Sequence, residues 1–241
     1  MVILFQSKSD DPETWHRLLT RHLPEATVRI GADSVMDPAE VDYALVWKPP
    51  AGLLKQYPNL KAIFSLGAGV DHLASDPELP AHVPVVRMVD PGLTQAMTEY
   101  VVWAVLGHHR RMRGYRAQQA DRVWAELPAP LAPQRRVGVL GLGELGATAA
   151  RALRQLGFTV GGWSRTPKEI DGVTNFAGPR GLNHLLVRTE ILVNLLPLTS
   201  ETAGLLNRST LGALPYGACL VNAGRGRHLV EGDLLDLLGS G

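Results

Sequence analysis

A single cysteine, Cys219, stands in the whole chain, so no intrachain disulfide can form and the fold must rest on its packed core. Charge of one sign is not in excess either: 24 Lys and Arg face 23 Asp and Glu, which argues against nucleic acid or another polyanion as partner. No uninterrupted apolar run approaches the roughly 18 residues that span a bilayer. The apolar start at residues 1–5 turns polar too early for a secretory signal. These absences lead to the expectation of a cytoplasmic protein with no nucleic-acid or membrane partner and no metal site. Cys219 lies in an apolar strand-like run and reads as a buried, inert thiol. At 241 residues the chain is long enough for one large or two modest domains.

What the chain does have is concentrated in residues 135–165. Arg136, Val137, Gly138, Val139 and Leu140 suit a buried parallel strand, and Gly141, Gly143 and Gly146 follow with the spacing G-x-G-x-x-G. The spacing alone is weak evidence, but residues 147–156 read as a helix and 159–163 as the next strand. In a unit of this order Gly141 permits the tight turn, Gly143 lets a pyrophosphate approach the backbone, and Gly146 lets the helix lie close on the sheet. The phosphates would then face a helix N-terminus, where free amides and the helix dipole favour negative charge.

After the second strand, an NAD-selective site usually places Asp or Glu to accept from the ribose 2′-hydroxyl. Here Ser164, Arg165 and Thr166 occupy that stretch. A carboxylate would repel a 2′-phosphate, whereas a guanidinium pairs with it through two charge-assisted hydrogen bonds. NADP is therefore expected over NAD, the competing reading being an ordinary solvated loop arginine.

The first hundred residues read as a separate α/β unit, with strands at 2–5, 27–30, 43–46, 62–65 and 85–87 and a helix at 12–22 capped by Asp10 or Asp11. Its ligand edge should be the carboxyl ends of the strands. Trp47-Lys48-Pro49-Pro50 follows the third strand there, and Gly67-Ala68-Gly69-Val70-Asp71 the fourth. The small residues of the second segment could let main-chain amides converge on a carboxylate, or could simply form a flexible turn into a helix at Val70. Trp47 either walls an apolar pocket or packs on its own domain.

Asp90, Pro91 and Gly92 mark a boundary, giving domains 1–92 and 93–241. A long helix is expected over 93–113, with His108 and His109 on its surface, followed by an extended arm over 115–133 that could rest on a second subunit. Beyond the glycine turn, strands are expected at 173–176, 191–195 and 218–221, and helices at 181–188, 208–214 and 231–238. The five strands from residue 136 onward make most of a doubly wound sheet whose complete form has six. The last strand would then be left as an unpaired edge.

Leu196-Pro197-Leu198-Thr199 with Thr202, and Asn222-Ala223-Gly224-Arg225-Gly226, stand at the ends of the fourth and fifth strands of that sheet. Together with Gly67-Ala68-Gly69-Val70-Asp71, Met97-Thr98-Glu99-Tyr100, Trp163-Ser164-Arg165-Thr166 and the glycine turn, they resemble the D-isomer-specific 2-hydroxyacid dehydrogenases, in their glyoxylate/hydroxypyruvate reductase branch. The resemblance implies a flavodoxin-like substrate domain and a Rossmann cofactor domain that lacks its last strands. It implies that Arg225 clamps the carboxylate and keto oxygen of a 2-keto acid, with the amides of Ala68 and Gly69 on the carboxylate and Trp47 beside it. The coenzyme would meet Gly141, Gly143, Glu144, Leu145 and Gly146 at the turn, Ser164, Arg165 and Thr166 at its 2′-phosphate, Leu196 and Pro197 beside the ribose, and Ala223 and Arg225 near the nicotinamide. A homodimer is implied as well. The family's acid, a histidine braced by a glutamate, would fall downstream of residue 241, and none of the eight histidines takes that place, His228 reading as a loop or helix-start residue. The expectation is therefore a fragment of an active reductase. A non-catalytic NAD(P)-binding module and a phosphoglycerate- or formate-type dehydrogenase are the alternatives.

Overall fold

A computed structural model describes residues 1–240. Contacts divide the chain into two compact units, Met1–Val89 and Asp90–Gly241. The turn residues Asp90, Pro91 and Gly92 open the second unit as the cap and first turn of its long helix.

The first unit is a five-stranded parallel sheet with the order β2-β1-β3-β4-β5, made of β1 (Val2–Ser7), β2 (Thr27–Ile30), β3 (Tyr43–Trp47), β4 (Ala62–Ser65) and β5 (Val85–Val86). Helix α1 (Pro12–His22) starts at Asp11, whose carboxylate accepts from the Thr14 amide at 3.1 Å, and Pro12 sits where no helical N–H is needed. Helix α2 (Asp71–Ala74) is a single turn after β4. Leu4, Ala44, Val46, Leu54, Ile63 and Leu73 form the core, and the inward residues Ala44 and Val46 alternate along β3 as a strand's period of two requires.

The second unit is also five-stranded and parallel, with the order β10-β9-β6-β7-β8. Its strands are β6 (Arg136–Leu140), β7 (Thr159–Ser164), β8 (Thr174–Ala177), β9 (Ile191–Asn194) and β10 (Cys219–Asn222). Central strands β6 and β9 are buried almost throughout, which their unbroken apolar runs require. Helices α3 (Pro91–His109), α4 (Met112–Ala120), α5 (Glu144–Gln155), α6 (Gly178–Leu186), α7 (Arg208–Leu211) and α8 (Glu231–Ser240) complete the unit. Counted within its own unit, this order is 3-2-1-4-5, that of a dinucleotide-binding sheet, and the first unit's 2-1-3-4-5 is that of flavodoxin. No helix among the described residues is long and apolar enough to cross a membrane.

Four expectations are corrected. The long helix ends at His109, because Arg111 adopts a left-handed backbone (φ 53°) and the chain restarts as α4. The expected extended arm is thus helical up to Ala120, and only its proline-rich remainder is irregular. His109 is buried, not on the surface, and packs edge-on to Phe158 with ring centroids 5.0 Å apart, while His108 is exposed as expected. Cys219 is half-buried against the core and not fully enclosed, although burial still pushes its thiol above the usual range.

Candidate active site

In the second unit the segments singled out from the sequence stand together at the carboxyl ends of β6, β7, β9 and β10. Gly141, at φ 92°, makes the turn out of β6, and its amide donates to the Trp163 carbonyl at the same edge (2.9 Å). Gly146 has no room for a side chain: a Cβ there would lie 1.7 Å from the Gly141 carbonyl oxygen. This close approach is what seats α5 on the sheet. Gly143 is the opposite case, exposed and with open space where a Cβ would point.

The start of α5 differs from those of α1 and α3 in one respect, which it shares with the shorter α4 and α6. Asp11 caps α1 and Asp90 caps α3 through side-chain oxygens, whereas α5 begins at Gly143 with no side-chain cap. Its first-turn amides, those of Glu144 and Leu145 among them, therefore keep their donor capacity and the positive end of the helix dipole. Such an end accepts a pyrophosphate, so these residues fit the nucleotide that the sequence implies.

At the end of β7, Ser164 is buried and its hydroxyl donates to the Thr166 carbonyl (2.7 Å), closing a turn that turns Arg165 outward. The Arg165 side chain is 83% exposed, and its Nη1 lies 3.7 Å from Glu201 Oε2. Ser164 therefore serves the turn through its hydroxyl, and Arg165 is the one cation of the segment 164–166.

The loops after β9 and β10 are locked by a network of side chains that the sequence motifs only partly announced. Asn194, fully buried at the end of β9, donates through Nδ2 to Asn222 Oδ1 at the end of β10 (2.9 Å). Asn222 Nδ2 in turn donates to the Arg225 carbonyl at 3.1 Å, and the Gly224 amide donates back to Asn222 Oδ1 at 3.3 Å. The Arg225 amide donates to His228 Nδ1 (3.0 Å), and Nε2 of the same ring stands 3.3 Å from the Pro197 carbonyl. That carbonyl also accepts from the Thr202 hydroxyl at 2.6 Å. Arg225 is thereby held on a fixed loop, half-buried, with Nη1 donating to the Gly224 carbonyl (3.2 Å). Leu196 is buried below this loop, Pro197 is exposed and Ala223 half-buried.

His228 is thus a structural residue, fully buried in a single helical turn, Gly226–His228, with both ring nitrogens engaged. Asn194 was missed by the sequence reading, yet a signal existed: β9 and β10 both end in Val-Asn, and parallel pairing sets Asn222 opposite Asn194.

The first unit offers a looser edge. Trp47, half-buried at the end of β3, stands 4.5 Å centroid to centroid from His72 of α2, and a Cβ on Gly67 would fall 2.5 Å from the Trp47 ring. Trp47 therefore packs on its own unit while closing one side of the loop that follows β4. Ser65, buried at the end of β4, sets its hydroxyl 3.1 Å from the Gly67 carbonyl and 3.2 Å from that of Gly69. With these carbonyls turned inward, the amides of Ala68 and Gly69 have no acceptor among the described residues. Free adjacent amides of this kind suit a carboxylate. Among the described residues, no group of three or more His, Cys, Asp or Glu could hold a metal ion.

Comparison with known proteins agrees with this geometry. The sequence profile of the D-isomer specific 2-hydroxyacid dehydrogenase NAD binding domain matches residues 102–241. A glyoxylate/hydroxypyruvate reductase A of Yersinia enterocolitica is 43% identical over the whole of this chain, which spans 78% of that relative. Among solved structures, a D-isomer specific 2-hydroxyacid dehydrogenase from Xanthobacter autotrophicus, in complex with NADPH and MES, superposes with a TM-score of 0.95 at 44% identity. It is matched by all of this chain over 77% of its own length. An NADPH-dependent glyoxylate/hydroxypyruvate reductase from Sinorhizobium meliloti, in complex with NADP and sulfate, gives a TM-score of 0.90 at 41% identity, with 99% of this chain and 77% of that one covered.

Proposed function

The chain belongs to the D-isomer-specific 2-hydroxyacid dehydrogenase family, in its glyoxylate/hydroxypyruvate reductase branch; from that premise we propose that it reduces a small 2-keto acid, of glyoxylate or hydroxypyruvate type, with NADPH. It is an oxidoreductase by that membership. The observation that carries the coenzyme assignment is the pairing of an uncapped α5 beneath open Gly143 with an outward guanidinium, Arg165, where an NAD site would place a carboxylate. The NADPH and NADP complexes of the two solved relatives support the same choice.

Gly141, Gly143, Glu144, Leu145 and Gly146 would hold the pyrophosphate. Ser164, Arg165 and Thr166 would form the 2′-phosphate turn, Leu196 and Pro197 would border the ribose, and Ala223 and Arg225 would face the nicotinamide. The reduced nicotinamide, when bound, supplies a hydride to the keto carbon. Arg225 then has two tasks, gripping the planar keto acid through its fork of donors and holding the negative charge that grows on the keto oxygen. Its loop, fixed by Asn194, Asn222 and His228, lets it do so without reorganising. In the first unit, the amides of Ala68 and Gly69 offer a carboxylate two donors, and Trp47 gives an apolar wall.

The alkoxide also needs a proton, and His228 is not its donor, because both ring nitrogens serve the loop. Binding without turnover is the second reading, and the engagement of His228 is what favours it. The test follows NADPH absorbance on mixing with glyoxylate or hydroxypyruvate, using the 241-residue chain and any longer product of the same reading frame. Oxidation of NADPH with either acid supports the reductase reading. Tight NADPH binding without turnover on any 2-keto acid in both forms would leave the binding module. A homodimer is part of the same proposal, supported by the exposed Trp103 and Trp124, and light scattering checks it.

A further inference from the structure

The contact between Arg165 and Glu201 spans a particular place. Arg165 directly follows β7, Glu201 lies in the loop after β9, and in the sheet these two strands flank β6, the strand that feeds the glycine turn. The pair therefore bridges the carboxyl end of β6, over the edge where the segments of the nucleotide site converge. Both ends of the bridge are braced by turns. The Ser164 hydroxyl closes the turn carrying Arg165. On the other side the Thr199 amide donates to the buried Thr202 hydroxyl (2.8 Å), the Ala203 amide to the Thr199 carbonyl (2.9 Å), and the Thr202 hydroxyl to Pro197. The two side chains themselves are exposed, 83% and 71%, so they are free to part.

We propose that Glu201 is a latch on Arg165: it holds the guanidinium across the groove in the empty protein and competes with the 2′-phosphate of the incoming nucleotide for it. Glu201 thereby sets how tightly, and how selectively, the phosphorylated coenzyme binds. The argument is one of like charges. A carboxylate and a 2′-phosphate cannot both stand within about 4 Å of one guanidinium without repelling each other, so the latch must open when the phosphate arrives. Salt should weaken the competition, since an exposed pair is screened within about 10 Å at 0.1 M. NADH carries no phosphate at that position and should be nearly indifferent to Glu201.

The inference rests on the assignment of Arg165 to the 2′-phosphate, and its test separates the two. Dissociation constants for NADPH and NADH are measured by isothermal titration calorimetry on the 241-residue protein and on Glu201→Gln, Glu201→Asp, Arg165→Ala and the Glu201→Gln/Arg165→Ala double variant. All four changes are at exposed surface positions and leave the core untouched. Expected is an about two- to fivefold tighter NADPH complex for Glu201→Gln at low salt, in line with exposed charge pairs. NADH should change by less than about twofold, and Glu201→Asp should stay near the parent because it keeps the charge. The gain should shrink in about 0.5 M salt and be absent when Arg165 is already alanine. An unchanged or weaker NADPH complex in Glu201→Gln, with Arg165→Ala still abolishing the NADPH preference, overturns the latch and leaves the phosphate assignment standing. If Arg165→Ala leaves the preference intact, the assignment itself falls and the latch with it.

Discussion

The two units solve one problem with two strand orders. Each has five parallel strands, but the first places β1 between β2 and β3, whereas the second places β6 between β7 and β9. The crevice at a reversal of strand order is where an open α/β sheet binds its ligands. In the second unit that crevice lies between β6 and β9, and the loops there are tied by Asn194, Asn222, His228 and Thr202 into one network. In the first unit the corresponding edge relies on ring packing, Trp47 against His72 and Gly67, with one serine turning carbonyls inward. The edge proposed for the dinucleotide is tied by hydrogen bonds between side chains, and the edge proposed for the small acid is held by packing.

That contrast can be broken most forcefully at the glycines. Gly146→Ala pushes a methyl group into a main-chain oxygen, which cannot step aside, so α5 must move off the sheet. A loss of about 3–5 kcal/mol in urea unfolding is expected, the range of severe overpacking, together with loss of NADPH binding in titration. Asn222→Ala is next. It strands the fully buried amide of Asn194 and releases the Arg225 loop. About 1–3 kcal/mol of stability should disappear, and the KM for the keto acid should rise more than the NADPH dissociation constant. Gly67→Ala in the first unit presses on the edge of a side chain that can tilt, so about 1 kcal/mol is expected there. A Gly67→Ala loss as large as that of Gly146→Ala would erase the distinction between the two edges.

Acid supplies the smallest and most selective probe. Burial, then Arg135, Arg110 and His108, hold His109 below the usual histidine range; His108 is lowered too, by burial first. The unfolded chain therefore binds protons that the folded second unit resists, so this contribution is present above about pH 6.5 and is lost as the pH falls below it. The first unit contributes Asp42, lowered chiefly by its hydrogen bond to Lys61, whose share is lost only as the pH drops below the ordinary carboxylate range. Unfolding followed between pH 7 and 5 should weaken the second unit first. His109→Phe should flatten that slope, leaving the share due to His108.

The sheets were readable from the sequence because most of their strands are short runs rich in apolar residues, punctuated by Gly, Pro and Asp. Residues 27–30 and 62–65 match the observed strands in full, and most other boundaries shift by one or two positions. Helix α4 escaped because its composition is polar and its first residue follows a backbone break that no sequence pattern announces. His109 was misplaced although the signal was present: Val101, Val105 and His109 recur every fourth residue, on the buried face of α3. The glycine turn and Arg165 were legible because they are motif positions. Asn194, His228 as a brace and Glu201 were not, since their roles arise only when separate loops meet.

One carbonyl, that of Pro197, is shared by Thr202 on its own loop and His228 on the next. It acts as a common hinge pin between the part of the protein that would choose the coenzyme and the part that would handle the acid. Protein engineers who retune one of these by altering residues 196–202 should find the other drifting with it, so the two preferences would have to be redesigned as a pair.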